Sequence, residues 1–444
     1  MHRPTNSRLR LLPLAWALAG VFAASHSSAQ SLQDLYTAAR GYDASYQSAK
    51  SLYEANLAKA EQARALLLPS ANFALGASRS NQEILPNPDR SYGAQTATIS
   101  ASQPLYRPAN KASYDQGMKS VEAAKAQLLA SEQDLIVRVS QAYFDVLAST
   151  DSLTFVKAQK AAVAEQLASA KRNFEVGTST ITDTREAQAR FDLVVAQELA
   201  AENDLRVKSI ALNQLVGVSN ASPKPLAAPI VLAPVEPADP EAWVQQSEDQ
   251  HPALAQLKVA LEVAKLETAK AEAGHKPTLD LTGSYSAVNN NGTSTAVADS
   301  RVNVATVGVS FNLPVFAGFA TQNRIKETLA LEEKARTDLE ASRRTIAQAI
   351  RTAYFGLQSG QAQVKAYEAA EASSKSALDA NKLGYQVGVR INIDVLNSQS
   401  QLYSTKATLA KARYDVLVGG LKLKQAAGTL KAEDLAPINS QLVP

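Results

Sequence analysis

The stretch that decides the fold is Phe174-Glu175-Val176-Gly177, because it recurs as Tyr385-Gln386-Val387-Gly388. The two copies are 211 positions apart (174 to 385), and the same spacing separates Ala142-Tyr143-Phe144 from Ala353-Tyr354-Phe355. A constant offset over a long segment is typical of an internal structural repeat. The chain is therefore expected to consist of two equivalent halves. Single residues that keep the offset are Asp183 and Asp394, Gln188 and Gln399, Asp204 and Asp415, and Gly217 and Gly428.

Upstream of these segments the spacing drifts slightly. Pro104 corresponds to Pro314 and Pro69 to Pro277, so the offset falls to 210 and then to 208. Insertions and deletions of this kind are tolerated best in surface loops. The polar stretches between these prolines, and therefore the expected loops, are residues 81–91 and 289–299.

Each half contains one very long and two shorter stretches that favour α-helix. In the first long stretch the only proline is Pro108, in the first turn, where a helix tolerates it. A helix of roughly 70 residues is about 105 Å long, and the two shorter helices of each half together match that length. The sequence therefore predicts two stacked short helices beside each long one. The predicted helices are 31–68, 105–174 and 184–217 in the first half, and 243–274, 315–385 and 395–428 in the second.

Each half also contains a pair of stretches in which apolar and polar residues alternate, within residues 70–103 and 278–313. In the first, Phe73 and Leu75 lie on one face and Asn72 on the other, as in a β-strand. Strands of about ten residues with this alternation match the wall of a transmembrane β-barrel, although two soluble hairpins on a small sheet would alternate in the same way. Four strands cannot close a barrel, and an open edge cannot face lipid. A barrel built from this chain would therefore be shared between copies.

The first residues are typical of an export signal. Arg3, Arg8 and Arg10 precede an apolar run at residues 11–24, and Ser27-Ser28-Ala29 provides a small-residue cleavage pattern. We therefore expect residues 1–29 to be a signal peptide. An uncleaved anchor is the alternative, but the apolar run is short for a bilayer, and no other stretch is apolar over about 18 residues.

The composition argues against an enzyme. Cysteine is absent, so the chain has no disulfides and no thiolate ligands for a metal. His251 and His275, the two histidines beyond the signal, stand alone in helical stretches, and no serine lies in a nucleophile-elbow context. The three signal arginines account for the net charge of +3, which leaves no basic footprint for nucleic acid. We expect no catalytic residues, cofactor, metal or nucleic-acid partner.

The repeats divide the chain into segments. A proline-rich stretch joins the two halves and is expected to be an ordered, extended linker. We expect it at mid-height, because the short helices on either side of it end at a distance from the strands that is half the length of a long helix. The predicted segments are the signal peptide at 1–29, the first repeat at 30–217, the linker at 218–242, the second repeat at 243–428 and an equatorial tail at 429–444.

Several short blocks of sequence, in the same order and duplicated, resemble the TolC family of outer-membrane channels. The resemblance covers essentially the whole mature chain. The resemblance implies a mixed α and β membrane protein with an internal duplication. It implies a homotrimer whose 12-stranded β-barrel, four strands per chain, continues into a long periplasmic α-helical barrel with a mixed equatorial domain. The blocks that carry it are Leu67-Leu68-Pro69, residues 142–147, Phe174-Glu175-Val176-Gly177, Ile181-Thr182-Asp183, residues 275–281, Tyr385-Gln386-Val387-Gly388, Asp394-Val395-Leu396 and Ala412-Arg413-Tyr414.

The resemblance also implies a gate at the periplasmic tip. Matching positions for the closing network are Gln166, Thr182, Asp183, Tyr385 and Arg390. A phenol and a guanidinium offered to one carboxylate, that of Asp183, would form a charge-assisted clamp. An ordinary solvated ion pair, worth about 0–1 kcal/mol, is the alternative.

The residues of the implied constriction depart from the family pattern. Asp394 matches an acidic ring, but a second acidic position one helical turn later is Asn397 here. Lys382 replaces an acidic residue near the clamp. We therefore expect a weaker preference for cations than the family pattern implies.

Implied partners are outer-membrane lipid, a periplasmic adaptor (membrane fusion protein) and an inner-membrane transporter. The expected function is an outer-membrane exit duct of a tripartite efflux pump, of a type I secretion system, or of both. Small molecules and secreted polypeptides both stay open as cargo. A periplasmic coiled-coil adaptor or structural protein without a barrel is the competing hypothesis, but it leaves the paired alternating hairpins unexplained.

Overall fold

The computed structural model describes residues 29–443 apart from 84–88, 228 and 294–295, so the predicted signal peptide lies outside it except for Ala29. The described chain runs helix, hairpin, long helix and helix twice over. Its helices are α1 (Leu32–Tyr42), α2 (Ala44–Ala65), α3 (Pro108–Glu175), α4 (Ile181–Val216), α5 (Pro240–Gln250), α6 (Pro252–Glu272), α7 (Ala320–Gln386), α8 (Asn392–Ala426) and α9 (Ala436–Asn439). Its strands are β1 (Ser70–Gln82), β2 (Arg90–Tyr106), β3 (Thr278–Asn291) and β4 (Ser300–Asn312).

The four strands form one antiparallel sheet in the order β1-β2-β3-β4. The register of the sheet places apolar side chains beside apolar ones and polar side chains beside polar ones on neighbouring strands. Phe73, Ile99 and Tyr285 lie in one row, and 68% of Phe73 is exposed in the single chain. On the opposite face the aligned residues are polar: Asn72, Ser100, Ser284 and Thr306.

The long helices begin later than the sequence suggested. Strand β2 continues to Tyr106, which pairs with Leu279, so α3 starts at Pro108 and not at residue 105. Helix α7 starts at Ala320 and not at residue 315, because Gly318 and Phe319 have positive φ angles of 58° and 64°. Such backbone angles cannot be part of an α-helix.

Both of the shorter helices that precede a hairpin are broken, which corrects the prediction of continuous helices at 31–68 and 243–274. The first breaks at Asp43, whose side chain accepts a hydrogen bond from the Tyr46 amide (2.8 Å) and caps α2. Arg138 donates two further bonds to Asp43 (2.9 and 3.1 Å), which hold the pKa of that carboxyl below its usual value. The second breaks at His251, because the following residue, Pro252, disfavours helical geometry before it.

The two breaks lie at equivalent positions of the repeat. Each packs against the glycine that follows the other short helix of its half. Gly217 ends α4 with φ of 71° against the ring of Tyr42, and Gly428 follows α8 with φ of 75° against the backbone of His251. A Cβ atom at either glycine would approach these neighbours closer than real Cβ atoms do. The ends of α4 and α8 therefore pack directly onto the helix breaks.

The long helices organise the rest of the chain. Helix α3 packs along α2 and α4, and α7 packs along α6 and α8, which is the predicted arrangement of two short helices beside each long one. Helix α3 also contacts α6 and α8, and so joins the two halves side by side. No helix within the described residues is both long enough and apolar enough to cross a membrane.

The repeated Ala-Tyr-Phe motif anchors the linker at mid-height. The Tyr143 hydroxyl donates to the carbonyl of Lys224 (2.8 Å), and the Tyr354 hydroxyl donates to the carbonyl of Ala238. Both tyrosines are buried, and Phe144 stacks on Tyr414 with ring centroids 5.5 Å apart. In both halves the tyrosine of the motif therefore binds the linker near the middle of its long helix.

Substituting the buried helix-end glycines tests this packing. We expect Gly217→Ala to lower the thermal unfolding midpoint of detergent-purified protein, followed by circular dichroism, more than Gly177→Ala does. Both have positive φ, where alanine is strained by about 1–2 kcal/mol, but only at Gly217 does the methyl group also meet Tyr42. Equal losses would contradict the contact. Gly428 and Gly388 provide the same comparison in the second half, since nothing lies within 4 Å of Gly388.

Candidate functional site

The candidate site lies at the two turns that end the long helices. The first hairpin consists of α3, α4 and the turn between them, and the second hairpin consists of α7, α8 and their turn. At about 1.5 Å per residue, the turns are about 100 Å from the strands. Gly177 and Gly388 have φ angles of 76° and 80°, which let each chain reverse direction.

Asp183 serves its own helix in the single chain. Its carboxylate accepts hydrogen bonds from the Thr180 amide (3.0 Å) and hydroxyl (2.9 Å), while the Asp183 amide donates to the Thr180 hydroxyl (3.2 Å). This capping box begins α4. Thr182 is exposed beside it. The second hairpin has no such cap, because Ile391 stands where Thr180 stands in the first.

Tyr385 and Arg390 do not share the Asp183 carboxylate within one protomer. The Tyr385 hydroxyl accepts a hydrogen bond from the Asn173 side chain (3.2 Å). Arg390 lies 3.7 Å from Asp394, four residues later on α8. The predicted clamp at Asp183 is therefore not an interaction inside the single chain, where each of its proposed members has another partner.

Asn392 is a buried polar residue that joins the two hairpins, and the sequence reasoning missed it. Its side chain is 1% exposed. Gln166 donates to its amide oxygen, and its own amide nitrogen donates to the carbonyl of Asp183 (3.4 Å). The available signal was the repeat itself, because Asn392 occupies the position that Ile181 holds in the first half.

Arg190 is a second residue that the sequence reasoning missed. Its guanidinium donates to the side-chain oxygen of Asn397 (2.7 Å) and so connects α4 to α8. Nothing in the local sequence identified this pair, since the two residues are 207 positions apart.

We name the hydrogen bonds between the two hairpins at this end the latch. A bond between uncharged groups is worth about 0.5–1.5 kcal/mol, and one to a charged group, such as the bond from Arg190, about 1.5–3 kcal/mol. Leu396 supports the latch from α8 by inserting among apolar residues of the first hairpin. The latch bonds are Gln166 to Asn392, Asn392 to the Asp183 carbonyl, Asn173 to Tyr385 and Arg190 to Asn397.

The described part of the chain offers no metal site. No group of three or more histidine, aspartate or glutamate side chains within it is arranged to hold a metal ion.

Comparison with known proteins supports the same architecture. The family model described as outer membrane efflux protein matches residues 24–218 and 243–429, which coincide with the two repeats. The chain is 33% identical to the outer membrane protein TolC of Vibrio cholerae, over 98% of each chain. It is 30% identical to the alkaline protease secretion protein AprF of Pseudomonas aeruginosa, over 93% of this chain and 87% of that one.

Solved structures give the same result for the fold. A crystal structure of CusC, reported with the conformational changes that accompany folding and transmembrane channel formation, superposes with a TM-score of 0.80 at 18% identity. The superposition covers 90% of this chain and 92% of CusC. The predicted fold class, a duplicated chain giving four strands to a shared barrel that continues into a helical one, is confirmed, as is the outer-membrane location. The chain belongs to the outer membrane efflux protein family.

Proposed function

We propose that the latch is the closed gate of this outer-membrane exit duct. The duct is a passive channel and not an enzyme, as in the family to which the chain belongs. The observation that carries the proposal is that bonds between the two hairpins concentrate at the end of the helices farthest from the strands. Separating the hairpins there would widen the end of the tunnel without disturbing its wall.

The working unit in this proposal is a homotrimer in outer-membrane lipid. In one chain β1 and β4 are each paired on one side only, so the outer edge of each presents unpaired backbone groups. Lipid cannot satisfy such groups, whereas three copies close a barrel of twelve strands. Contacts between neighbouring protomers then close the gate, and they are made by Asp183, Thr182, Tyr385 and Arg390. Asp394 lines the constriction.

The proposed partners are a periplasmic adaptor and an inner-membrane transporter, which engage the tip and separate the hairpins. The transporter selects the cargo. AprF is named for the secretion of alkaline protease, and BepC of Brucella suis, 28% identical over 74% of this chain, is named an efflux protein. These names support a duct of one design that passes polypeptides or small molecules according to its transporter.

Removing the central amide of the latch tests the gate. We expect Asn392→Ala to raise single-channel conductance in planar bilayers several-fold, because it removes both bonds that Asn392 makes to the first hairpin. Asn381→Ala is the matched control. It removes a bond to Ser398 (2.6 Å) that lies within the second hairpin, so conductance should not change. Unchanged conductance in Asn392→Ala, with trimers intact, would mean that the latch is not the gate.

Charge on either face of the sheet tests the barrel. We expect Phe73→Arg to reduce the yield of membrane-inserted trimer, because a guanidinium on the lipid side costs about 2–4 kcal/mol at mid-membrane. Asn72→Arg, on the neighbouring residue of the polar face, should leave assembly intact. Trimer from outer-membrane fractions, measured on gels without heating, separates these outcomes. Equal tolerance at both positions would contradict the placement of the sheet in the membrane.

A further inference from the structure

The tip carries a positive charge, that of Arg190, which the sequence pattern did not predict. Arg190 is held on α4 by its bond to Asn397 (2.7 Å), and Asn397 lies one helical turn after Asp394 on α8. Asparagine accepts this bond without bringing a negative charge. The guanidinium is therefore fixed beside the implied constriction and keeps its full positive charge.

Among the described residues, no carboxylate oxygen lies within 4.0 Å of a nitrogen of the Arg190 guanidinium. Arg190 therefore forms no ion pair in this part of the chain. Glu186 is one turn earlier on the same face of α4 but does not reach it. Asp192 is two positions away and so projects from another face. Its carboxylate accepts a hydrogen bond from Gln188 (2.9 Å).

The one acidic side chain of the implied constriction is itself partly compensated. Asp394 lies 3.7 Å from the Arg390 guanidinium. An exposed pair of this kind contributes little to stability, but the guanidinium offsets much of the field of the carboxylate. Of the charged side chains assigned above to the gate and the constriction, Arg190, Arg390 and Lys382 are cations and Asp183 and Asp394 are anions, which leaves one positive charge per chain.

We propose that Arg190, positioned by Asn397, sets the ion preference of the constriction and makes it favour anions over cations. The proposal rests on the proposed placement of the gate at these turns. Three copies repeat the excess charge around one narrow opening, where low-dielectric walls focus the field of fixed charges. Because the Debye length is about 10 Å at 0.1 M salt, the preference is strongest at low ionic strength.

The reversal potential of single channels in a potassium chloride gradient tests the proposal. The current through wild-type channels should reverse at a potential that has the sign of the chloride equilibrium potential. Arg190→Gln should shift the potential towards that of a cation-preferring channel, since it removes the charge and keeps an amide that can reach Asn397. Arg185→Gln is the matched control, because it removes the same charge from an exposed position of α4 with no bond to α8. An equal shift in both variants would overturn the specific role of Arg190.

A double-mutant comparison examines the charge at this position. Asn397→Asp alone should shift the reversal potential towards cation preference about as far as Arg190→Gln does, because a new carboxylate offsets the field of Arg190 as removal of the guanidinium would. Asn397→Asp together with Arg190→Gln leaves that carboxylate without its partner. The combined variant should therefore prefer cations more strongly than either single variant. A combined variant that still prefers anions would contradict a controlling charge at this pair.

The same recordings separate this proposal from the gate proposal. If the latch is not the gate, Asn392→Ala leaves conductance unchanged while the Arg190 variants still shift the reversal potential. If the charge proposal is wrong, wild-type channels prefer cations and Arg190→Gln has no effect, while Asn392→Ala still raises conductance. Trimer yield on unheated gels confirms for each variant that the channel wall is intact.

Discussion

A backbone amide that faces lipid has no water to bond, and β1 and β4 each carry a row of such groups along one side of the sheet. This requirement makes a single copy incomplete, because the strands find their missing partners only in other copies. Each copy brings its helices with it, so closing the barrel also closes the wall of helices below. The contacts that protomers make with one another at the tip therefore depend on backbone pairing about 100 Å away.

That dependence requires the two halves of each chain to reach the same depth. The equal turns at Gly177 and Gly388 and the paired helix breaks at Asp43 and His251 serve this purpose. Tyr143 and Tyr354 bind the linker through their hydroxyl groups and so align the halves at mid-height. Duplication provides both halves with the same set of contacts, and the hairpins consequently end side by side.

At the tip the two hairpins are joined by hydrogen bonds in addition to apolar packing around Leu396. The larger apolar clusters lie higher along the helices, whereas the latch consists of a few hydrogen bonds, most of them between uncharged groups. Breaking one costs only about 1 kcal/mol, which a docking partner can supply. The departure from the duplicated pattern at Asn392 is also informative, because it places an amide where the first half has isoleucine.

The sequence by itself determined the duplication, the long helices, the alternating strands and the location of the tip, because each follows from local periodicity or from a constant spacing. The structure shows instead that Thr180 binds the Asp183 carboxylate in a capping box within its own chain. Only the tertiary structure decided that the helix breaks at Asp43, since Arg138, 95 positions away, binds the carboxylate that caps α2. It alone also revealed the partners of Asn392 and Arg190. Those contacts join residues more than 200 positions apart, and no local pattern specifies which side chains two packed helices bring together.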